Sequence, residues 1–289
     1  MPVISGFQLW QWRSLAKQQA IAADVPPDEV DWILQAVGLD RLSLRLELFK
    51  TQDQVELDRD LEALEALWER RIREQVPVQY LVGVTPWRDF EVMVAPGVLI
   101  PRPETELLID LAIEAAKDQA GHWVDLGTGS GAIAMGLALA FPNAIVHAVD
   151  RSEVALAIAR ENAARLKVEI QFYRGNWFEP LAHLKGQLSG MVSNPPYIPT
   201  QEVKELQPEV VLHEPHLALD GGADGLDEIR YLIKTAPEYL RSGGIWMIEM
   251  MAGQANAIAE LLESQGSYTD VRIERDLAGI ERFAIARIR

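Results

Sequence analysis

Strands and helices alternate from Trp123 onward, and two further strands close the chain. Short runs rich in apolar and β-branched residues are followed by segments with helical spacing, and this pairing repeats. Such alternation predicts a mostly parallel sheet with helices on both faces, in a doubly wound α/β fold. The seven predicted strands are 123–126, 144–150, 168–173, 191–193, 244–250, 271–274 and 282–288. The predicted helices are 107–117, 132–141, 152–167, 225–240 and 254–265.

The sequence before this alternation has a different pattern. Residues 5–75 show helical spacing and no convincing strand, and one helix face is formed by Leu57, Leu61, Leu64, Trp68 and Ile72. Residues 76–100 are punctuated by proline and glycine, which predicts a β-hairpin. We therefore expect a small all-α helical-bundle domain that binds a partner protein (1–75), a β-hairpin connector (76–100) and an α/β domain (101–289).

Composition narrows the possible functions. The chain has 289 residues, 48% of them apolar, with a net charge of -16 and no cysteine. The apolar fraction excludes intrinsic disorder, and the lack of cysteine excludes disulfide scaffolds and thiolate catalysis. The acidic charge disfavours binding to nucleic acid or to anionic membranes. The N-terminal residues show no secretory signal, and no apolar run is long enough to span a bilayer, so we expect a cytoplasmic protein.

A glycine-rich turn follows the first strand of the α/β domain. It reads Gly127-Thr128-Gly129-Ser130-Gly131, and Asp125 precedes its first glycine by two positions. The glycines also fit a dinucleotide fingerprint loosely, so the turn alone leaves the nucleotide open. However, residues 126–149 contain no lysine or arginine to bind phosphates. The D-x-G-x-G-x-G pattern resembles the first motif of S-adenosylmethionine-dependent methyltransferases.

The next two strands end in residues suited to the rest of a nucleoside. Asp150 ends the second strand, where its carboxylate can accept hydrogen bonds from ribose hydroxyls. The third strand is followed by Asn176 and Trp177. The carbonyl of Asn176 can accept from an adenine amino group while the Trp177 ring lies against the base. Ordinary packing is an equally good explanation of Trp177 when it is considered alone.

The fourth strand leads into Asn194-Pro195-Pro196-Tyr197. Consecutive prolines cannot extend a sheet, and they fix the direction of the neighbouring carbonyls. The tetrapeptide resembles the signature of methyltransferases that act on planar nitrogen, either the amino groups of bases or the side-chain amide of glutamine. The Asn194 side-chain oxygen and the Pro195 carbonyl can accept the two N–H groups of an amide, and Tyr197 can stack on it.

Further segments extend the resemblance to the release-factor glutamine methyltransferases of the HemK/PrmC type. Among these segments are residues 98–106, 214–215 and 218–226, and the similar motifs taken together span Tyr80 to Phe283. The resemblance implies a Rossmann-like class I methyltransferase domain with a seven-stranded, mostly parallel sheet. Two positions depart from the family pattern: Asn176 replaces a common aspartate, and Met251 replaces a glycine.

The resemblance also implies a role for each site residue. S-adenosylmethionine, which becomes S-adenosylhomocysteine, would be held by Gly127, Thr128, Gly129, Ser130, Gly131, Asp150, Asn176, Trp177 and Asn194. The substrate would be bound by Asn194, Pro195, Pro196 and Tyr197, with Asn194, Pro195 and Tyr197 as catalytic residues. It further implies that the two domains together grip a peptide-chain release factor and methylate the glutamine of its Gly-Gly-Gln loop. We expect a monomer that needs no metal and binds no nucleic acid directly.

Three other functions fit parts of the same pattern. A glutamine methyltransferase that acts on a ribosomal protein would carry the same tetrapeptide. An adenine-N6 methyltransferase of nucleic acids would carry a similar one, but the acidic charge opposes it. A non-catalytic nucleotide-binding module would not require an intact tetrapeptide beside a complete donor site. His213 and His216 flank Glu214-Pro215, but with no third ligand in sequence they do not predict a metal site.

Overall fold

The computed structural model describes residues 1–116 and 120–289, which divide into two units. The first unit comprises Met1–Val84 together with Gln207–His213, and the second comprises Thr85–Leu206 together with Glu214–Arg289. The domain boundaries predicted at residues 75 and 100, and the roles assigned to the three parts, stay predictions.

Helices build most of the first unit, and their apolar faces share one core. Leu9, Trp12, Leu34, Phe49 and Trp68 are buried in it. This burial of one face of each helix explains the helical spacing of apolar residues in this part of the sequence. In chain order the elements are β1 (Val3–Ile4), α1 (Gly6–Ala22), α2 (Asp28–Ala36), α3 (Arg41–Leu46), β2 (Val55–Glu56), α4 (Leu61–Arg73) and α5 (Val78–Val82).

The first unit differs from the sequence-based expectation in two ways. It contains strands, because β1 and β2 pair antiparallel with Ile4 opposite Val55. Helix α4 begins at Leu61, because the Asp60 carboxylate caps it by accepting a hydrogen bond from the Ala63 backbone N–H at 2.9 Å. Leu57 therefore precedes the helix, although it is fully buried in the same core.

A buried arginine joins the segment Gln207–His213 to the first unit. The guanidinium of Arg71, on α4, lies 2.5 Å from a carboxylate oxygen of Glu29 on α2. It lies 2.6 Å from a carboxylate oxygen of Glu209. A buried charge is costly unless it is paired, so the two carboxylates offset the desolvation of Arg71. These pairs tie three separate stretches of the chain together.

The remaining strands form a two-stranded hairpin and a seven-stranded sheet. The hairpin lies inside the predicted connector and has a two-residue turn. Its strands are β3 (Val84–Trp87) and β4 (Phe90–Met93). The strands of the large sheet are β5 (Gly121–Leu126), β6 (Ala144–Asp150), β7 (Gln171–Arg174), β8 (Leu188–Ser193), β9 (Leu240–Glu249), β10 (Tyr268–Arg275) and β11 (Glu281–Ile288).

The large sheet confirms the predicted fold class. Its strand order is β10-β11-β9-β8-β5-β6-β7. The five strands β9, β8, β5, β6 and β7, in the order of the sheet, run parallel to one another. β11 runs antiparallel to both of its neighbours, β9 and β10. β5 has β6 on one side and β8 on the other, so the direction of winding reverses there. In open α/β sheets, ligands bind in the crevice at the carboxyl ends of strands flanking such a reversal.

Among the described residues, the α-helices of the second unit agree with the prediction in number, with shifted ends. The helix predicted over 225–240 ends at Thr235, since Pro237 follows and cannot donate a backbone hydrogen bond. Residue 117, the predicted end of another helix, lies outside the described residues. The helices after α5 are α6 (Leu107–Ala115), α7 (Ala132–Ala140), α8 (Glu153–Leu166), α9 (Pro208–His213), α10 (Asp227–Thr235) and α11 (Ala255–Gln265), with α9 belonging to the first unit.

The core of the second unit lies between the sheet and its helices. Leu126, Val149, Met191 and Trp246 on the strands are completely buried there. Since burial on both faces suits continuous apolar strands, this core accounts for the apolar runs in the sequence. Across residues 1–116 and 120–289, no helix combines the length and apolar content that a membrane span requires.

A histidine on the central part of β6 is buried in a row of aromatic rings. Nε2 of His147 lies 2.9 Å from Nδ1 of His122, and its Nδ1 lies 3.3 Å from the Tyr173 hydroxyl. His147 is 1% exposed. Burial, together with the nearby His122 and His183, lowers the pKa of His147 from 6.5 to about 4. The folded protein therefore holds this imidazole neutral at pH values where the unfolded chain protonates it.

We expect this histidine to make the protein less stable in mild acid. Between pH 6.5 and about 4 the unfolded state binds a proton that the folded state does not, so the free energy of unfolding falls as the pH falls. The full effect is about 3 kcal/mol. In urea unfolding, His147→Gln should therefore narrow the gap in stability between pH 7.5 and pH 5. An equal gap in the wild-type protein and the variant would contradict this assignment.

Candidate active site

The carboxyl ends of the parallel strands meet along one edge of the large sheet. In register, Leu126 at the end of β5 is level with Val149 of β6 and with Ser193 of β8. The Ser193 hydroxyl donates a hydrogen bond to the Leu126 carbonyl at 2.6 Å. The segments that follow β5 and β8 therefore begin side by side.

A cleft opens at this edge, and most of the predicted site residues line it. The predicted residues in its lining are Gly127, Thr128, Gly129, Ser130, Asp150, Asn176, Trp177, Asn194 and Pro196. Gly131, Pro195 and Tyr197 lie in the same loops but are not part of the lining. The fold thus brings together, in one cleft, residues from four loops that are far apart in the sequence.

The glycine-rich turn requires its glycines. Gly127, Gly129 and Gly131 all have positive φ, at 75°, 54° and 86°, a region that other residues rarely adopt. At Gly131 a side chain would also meet Ala159 of α8, since an added Cβ would lie 3.1 Å from the Ala159 Cβ. The turn thereby lets α7 begin directly after β5 and close to α8.

A buried carboxylate, that of Asp125, accepts a hydrogen bond from this turn. Asp125 is fully buried, and its Oδ2 accepts hydrogen bonds from the Thr128 hydroxyl at 2.5 Å and the Ala134 backbone N–H at 3.1 Å. Its Oδ1 has no partner among the residues that the structure describes. Burial raises the pKa of Asp125 to about 7. Asp125 therefore connects the turn to the first turn of α7.

Asp150, at the end of β6, lines the cleft and also accepts a hydrogen bond from the turn. Its Oδ2 accepts from the Gly129 backbone N–H at 2.9 Å, and its Oδ1 accepts from the Ser152 backbone N–H at 2.8 Å. Burial raises the pKa of Asp150, and these two hydrogen bonds oppose that rise. Each carboxylate oxygen can accept a second hydrogen bond, so Asp150 can bind a pair of hydroxyl groups in the cleft while holding the backbone.

Trp177 forms a wall of the cleft in an unusual backbone conformation. Its φ is 48°, in the left-handed region. The indole N–H donates to the Glu228 carboxylate at 2.7 Å. The ring packs against Gly127, where an added Cβ would lie 3.3 Å from it. Glu228 also lines the cleft, and sequence reasoning missed it, because it lies on α10, 51 residues beyond Trp177.

The tetrapeptide after β8 is held by side chains from other segments. The Asn194 side-chain nitrogen donates to the Thr105 hydroxyl at 3.3 Å. The Tyr197 hydroxyl donates to the Glu249 carboxylate at 2.9 Å, and burial raises the pKa of Tyr197 further above its ordinary value. The Tyr197 carbonyl accepts from the Gln254 side chain at 2.9 Å. Tyr197 therefore stays neutral and is fixed at both its ring and its backbone.

The turn after β9 shows why methionine is tolerated at position 251, where the family pattern has glycine. Met251 does not adopt a positive φ, and its backbone N–H donates to the Gln254 side chain at 3.0 Å. The positive φ of this turn is at Gly253, with a value of 92°. The turn therefore does not require glycine at position 251.

Another buried carboxylate joins two of the segments that contribute to the cleft. Glu214 accepts a hydrogen bond from Arg102 at 2.5 Å and one from the Ile100 backbone N–H at 3.1 Å. The stretch before α6 and the stretch after Glu214 both contribute to the cleft, through Val98, Thr105 and Leu217 among others. Both stretches contain segments that resemble the family, but none of their residues is among the predicted site residues.

The charges of the lining restrict what the cleft can bind. Within the described part of the chain, Arg151 is the only basic residue of the lining, and Asp150 and Glu228 are its acidic residues. Such a lining suits a ligand with hydroxyl groups and positive charge and does not suit a polyphosphate. In the two described stretches, no group of three or more histidine or acidic side chains could hold a metal ion.

Comparisons with known proteins give the same fold. The family model "Methyltransferase small domain" matches residues 103–222. The solved catalytic domain of hMettl16, in complex with MAT2A 3'UTR hairpin 6, has a TM-score of 0.56 at 14% identity, over 78% of this chain and 80% of that one. The T. thermophilus 16S rRNA N2 G1207 methyltransferase, solved with AdoMet and guanosine, has a TM-score of 0.51 at 18% identity, over 71% of this chain and 50% of that one.

One relative is similar over nearly the entire chain. The release factor glutamine methyltransferase of Synechocystis sp. is 54% identical, over 98% of this chain and 97% of its own length. The match thus includes the helical unit as well as the α/β unit. The chain therefore belongs to the release factor glutamine methyltransferase family.

Proposed function

We propose that the protein transfers a methyl group from S-adenosylmethionine to N5 of the glutamine in the Gly-Gly-Gln loop of peptide-chain release factors. The observation that carries this proposal is the position of the Asn194–Tyr197 tetrapeptide directly beside the glycine-rich turn, at the ends of two paired strands. A relative named for the same reaction, matched over 98% of the chain, supports it.

The donor site consists of the turn from Gly127 to Gly131 with the residues that end the next strands. S-adenosylmethionine, when bound, supplies a methyl group on a positively charged sulfur. Asp150 accepts hydrogen bonds from the ribose hydroxyls, Asn176 accepts from the adenine amino group, and Trp177 packs against the ring. The fit rests on Gly127 and Gly129, which line the cleft without side chains, and on a lining with a single basic residue, which suits a donor without phosphates.

The tetrapeptide binds the acceptor amide. An amide nitrogen is a poor nucleophile, because its lone pair is delocalised into the carbonyl. The Asn194 side-chain oxygen and the Pro195 carbonyl accept its two N–H hydrogens and direct the nitrogen towards the methyl group. Tyr197 packs against the plane of the amide and helps to exclude water. These residues act by positioning the two reactants, so the reaction needs no strong general base before the transfer. The methylated nitrogen then loses one of its two protons, and S-adenosylhomocysteine would be the leaving product.

The substrate is a protein rather than a nucleic acid. The net charge of -16 opposes binding to a polyanion. We assign the helical unit to binding of the release factor, with the enzyme acting as a monomer. Because release factors act in translation, the reaction belongs in the cytoplasm.

The substrate assignment predicts the outcome of a transfer assay. Purified enzyme with S-adenosylmethionine carrying a labelled methyl group should label a release factor. Replacement of the glutamine in its Gly-Gly-Gln loop by alanine should abolish the labelling, because the acceptor amide is then absent. Ribosomal proteins, DNA and RNA serve as alternative acceptors. Transfer to one of these, with none to the release factor, would refute the proposed substrate.

The role of Asn194 predicts a separation of binding from turnover. Asn194→Ala removes the side-chain acceptor for the substrate amide, so kcat should fall by ~100-fold or more, whereas the Kd for S-adenosylmethionine should change by no more than about fivefold. Calorimetry and the transfer assay measure the two quantities. Asn143→Ala, an exposed site with the same substitution, is the control and should resemble the wild-type enzyme. Loss of donor binding in Asn194→Ala would show that Asn194 serves mainly the donor.

A further inference from the structure

A buried carboxylate at the end of β9 lies behind the tetrapeptide. Glu249 is 1% exposed. One of its oxygens accepts a hydrogen bond from the Thr105 hydroxyl at 2.6 Å, and the other accepts one from the Tyr197 hydroxyl at 2.9 Å. An ionised carboxylate can only accept hydrogen bonds, so both hydroxyl hydrogens must point towards Glu249.

The direction of the Thr105 hydrogen bond determines what its oxygen can offer to Asn194. A hydroxyl has one hydrogen, and that of Thr105 is used by Glu249. Only lone pairs remain to face Asn194, whose side-chain nitrogen donates to them at 3.3 Å. If the Asn194 amide were rotated by half a turn, two acceptor oxygens would face each other. The carbonyl end of Asn194 is therefore the end left for the substrate.

We propose that Glu249 is a positioning residue which, through the Thr105 hydroxyl, determines that Asn194 presents its oxygen and not its nitrogen to the substrate amide. This inference rests on the proposed function, in which that amide offers two N–H hydrogens and needs acceptors. Glu249 does not line the cleft. It acts through Thr105 and through the ring of Tyr197.

The orientation of the Thr105 hydroxyl depends on whether Glu249 is ionised, and the groups around Glu249 shift its pKa in both directions. Burial raises the pKa of Glu249, and the nearby Glu104 adds to the rise. The hydrogen bonds from Thr105 and Tyr197 and the positive charge of Arg282 oppose it. A protonated carboxyl group could donate to Thr105, and the hydroxyl hydrogen would then be free to turn towards Asn194. The carboxylate form is thus the one that orients the amide.

Replacement of Glu249 by its amide tests the proposal. In Glu249→Gln the side-chain NH2 must face one of the two hydroxyls, and Thr105 receives it because the phenol of Tyr197 is the stronger donor. The Thr105 hydrogen then turns towards Asn194 and favours the wrong end of its amide. We expect kcat for release-factor methylation to fall by ~10- to 100-fold, with the Kd for S-adenosylmethionine within about threefold of wild type.

Variants of Thr105 and a matched control complete the first set. Thr105→Val removes the hydroxyl and should lower kcat as Glu249→Gln does, whereas Thr105→Ser keeps the hydroxyl and should recover most of that loss. Glu260→Gln makes the same substitution as Glu249→Gln at an exposed position of α11 and should leave kcat unchanged. A wild-type kcat in Glu249→Gln or in Thr105→Val would overturn the proposal.

A double variant separates orientation of the amide from a merely structural role. Asn194→Asp alone puts an acceptor opposite the lone pairs of Thr105 and should be poorly active. When Glu249→Gln is added, the Thr105 hydroxyl can donate to the new carboxylate, and the other oxygen of that carboxylate stays available to the substrate. The double variant should therefore be roughly tenfold more active than Asn194→Asp alone, a coupling typical of contacting residues. Additive losses would overturn the proposal.

The wild-type enzyme in the same assay distinguishes this inference from the function on which it rests. If the wild-type enzyme does not methylate a release factor, the proposed function fails. If it does, and Glu249→Gln or the double variant behaves contrary to expectation, only the role of Glu249 fails. Donor binding by each variant, measured by calorimetry, shows that the variant is folded.

Discussion

The parallel pairing of β5 with β8 is the constraint on which the candidate site depends. This pairing places Leu126 opposite Ser193, and the hydrogen bond from the Ser193 hydroxyl to the Leu126 carbonyl fixes that register. A slip of one residue would turn every side chain of β8 to the opposite face. Because the two strands run parallel, the donor turn and the tetrapeptide lie at the same edge, and this register makes them begin side by side.

Three buried carboxylates around the cleft orient the groups that donate hydrogen bonds to them. Asp125, Glu214 and Glu249 are each almost fully buried, and each accepts two hydrogen bonds from different parts of its surroundings. In its ionised form a carboxylate accepts and does not donate, so it fixes the direction of every hydroxyl or N–H that it contacts. The cleft is thus shaped by oriented polar groups as well as by apolar packing, which suits a reaction that depends on position.

Local features of the sequence predicted the fold, and nine of the twelve predicted site residues line the cleft. The apolar run of β6 gave its bounds as observed, at Ala144–Asp150, and the glycines of the turn predicted a tight connection into α7. Contacts between distant segments had no such signal. Thr105 and Glu249 are 144 residues apart, and nothing in either local sequence indicates that they meet. The roles of Glu249 and Glu228 follow from tertiary packing, which a single sequence does not reveal.

The two units are not simply consecutive in the chain, because the segment Gln207–His213 belongs to the first unit. The chain leaves the first unit after Val84, returns to it for these seven residues, and then leaves again. A truncation at residue 84 would separate Glu209 from Arg71 and so remove the ion pair that holds this stretch. The helical unit is therefore not an exchangeable module: recombination with another helical domain would also have to supply a partner for this returning segment.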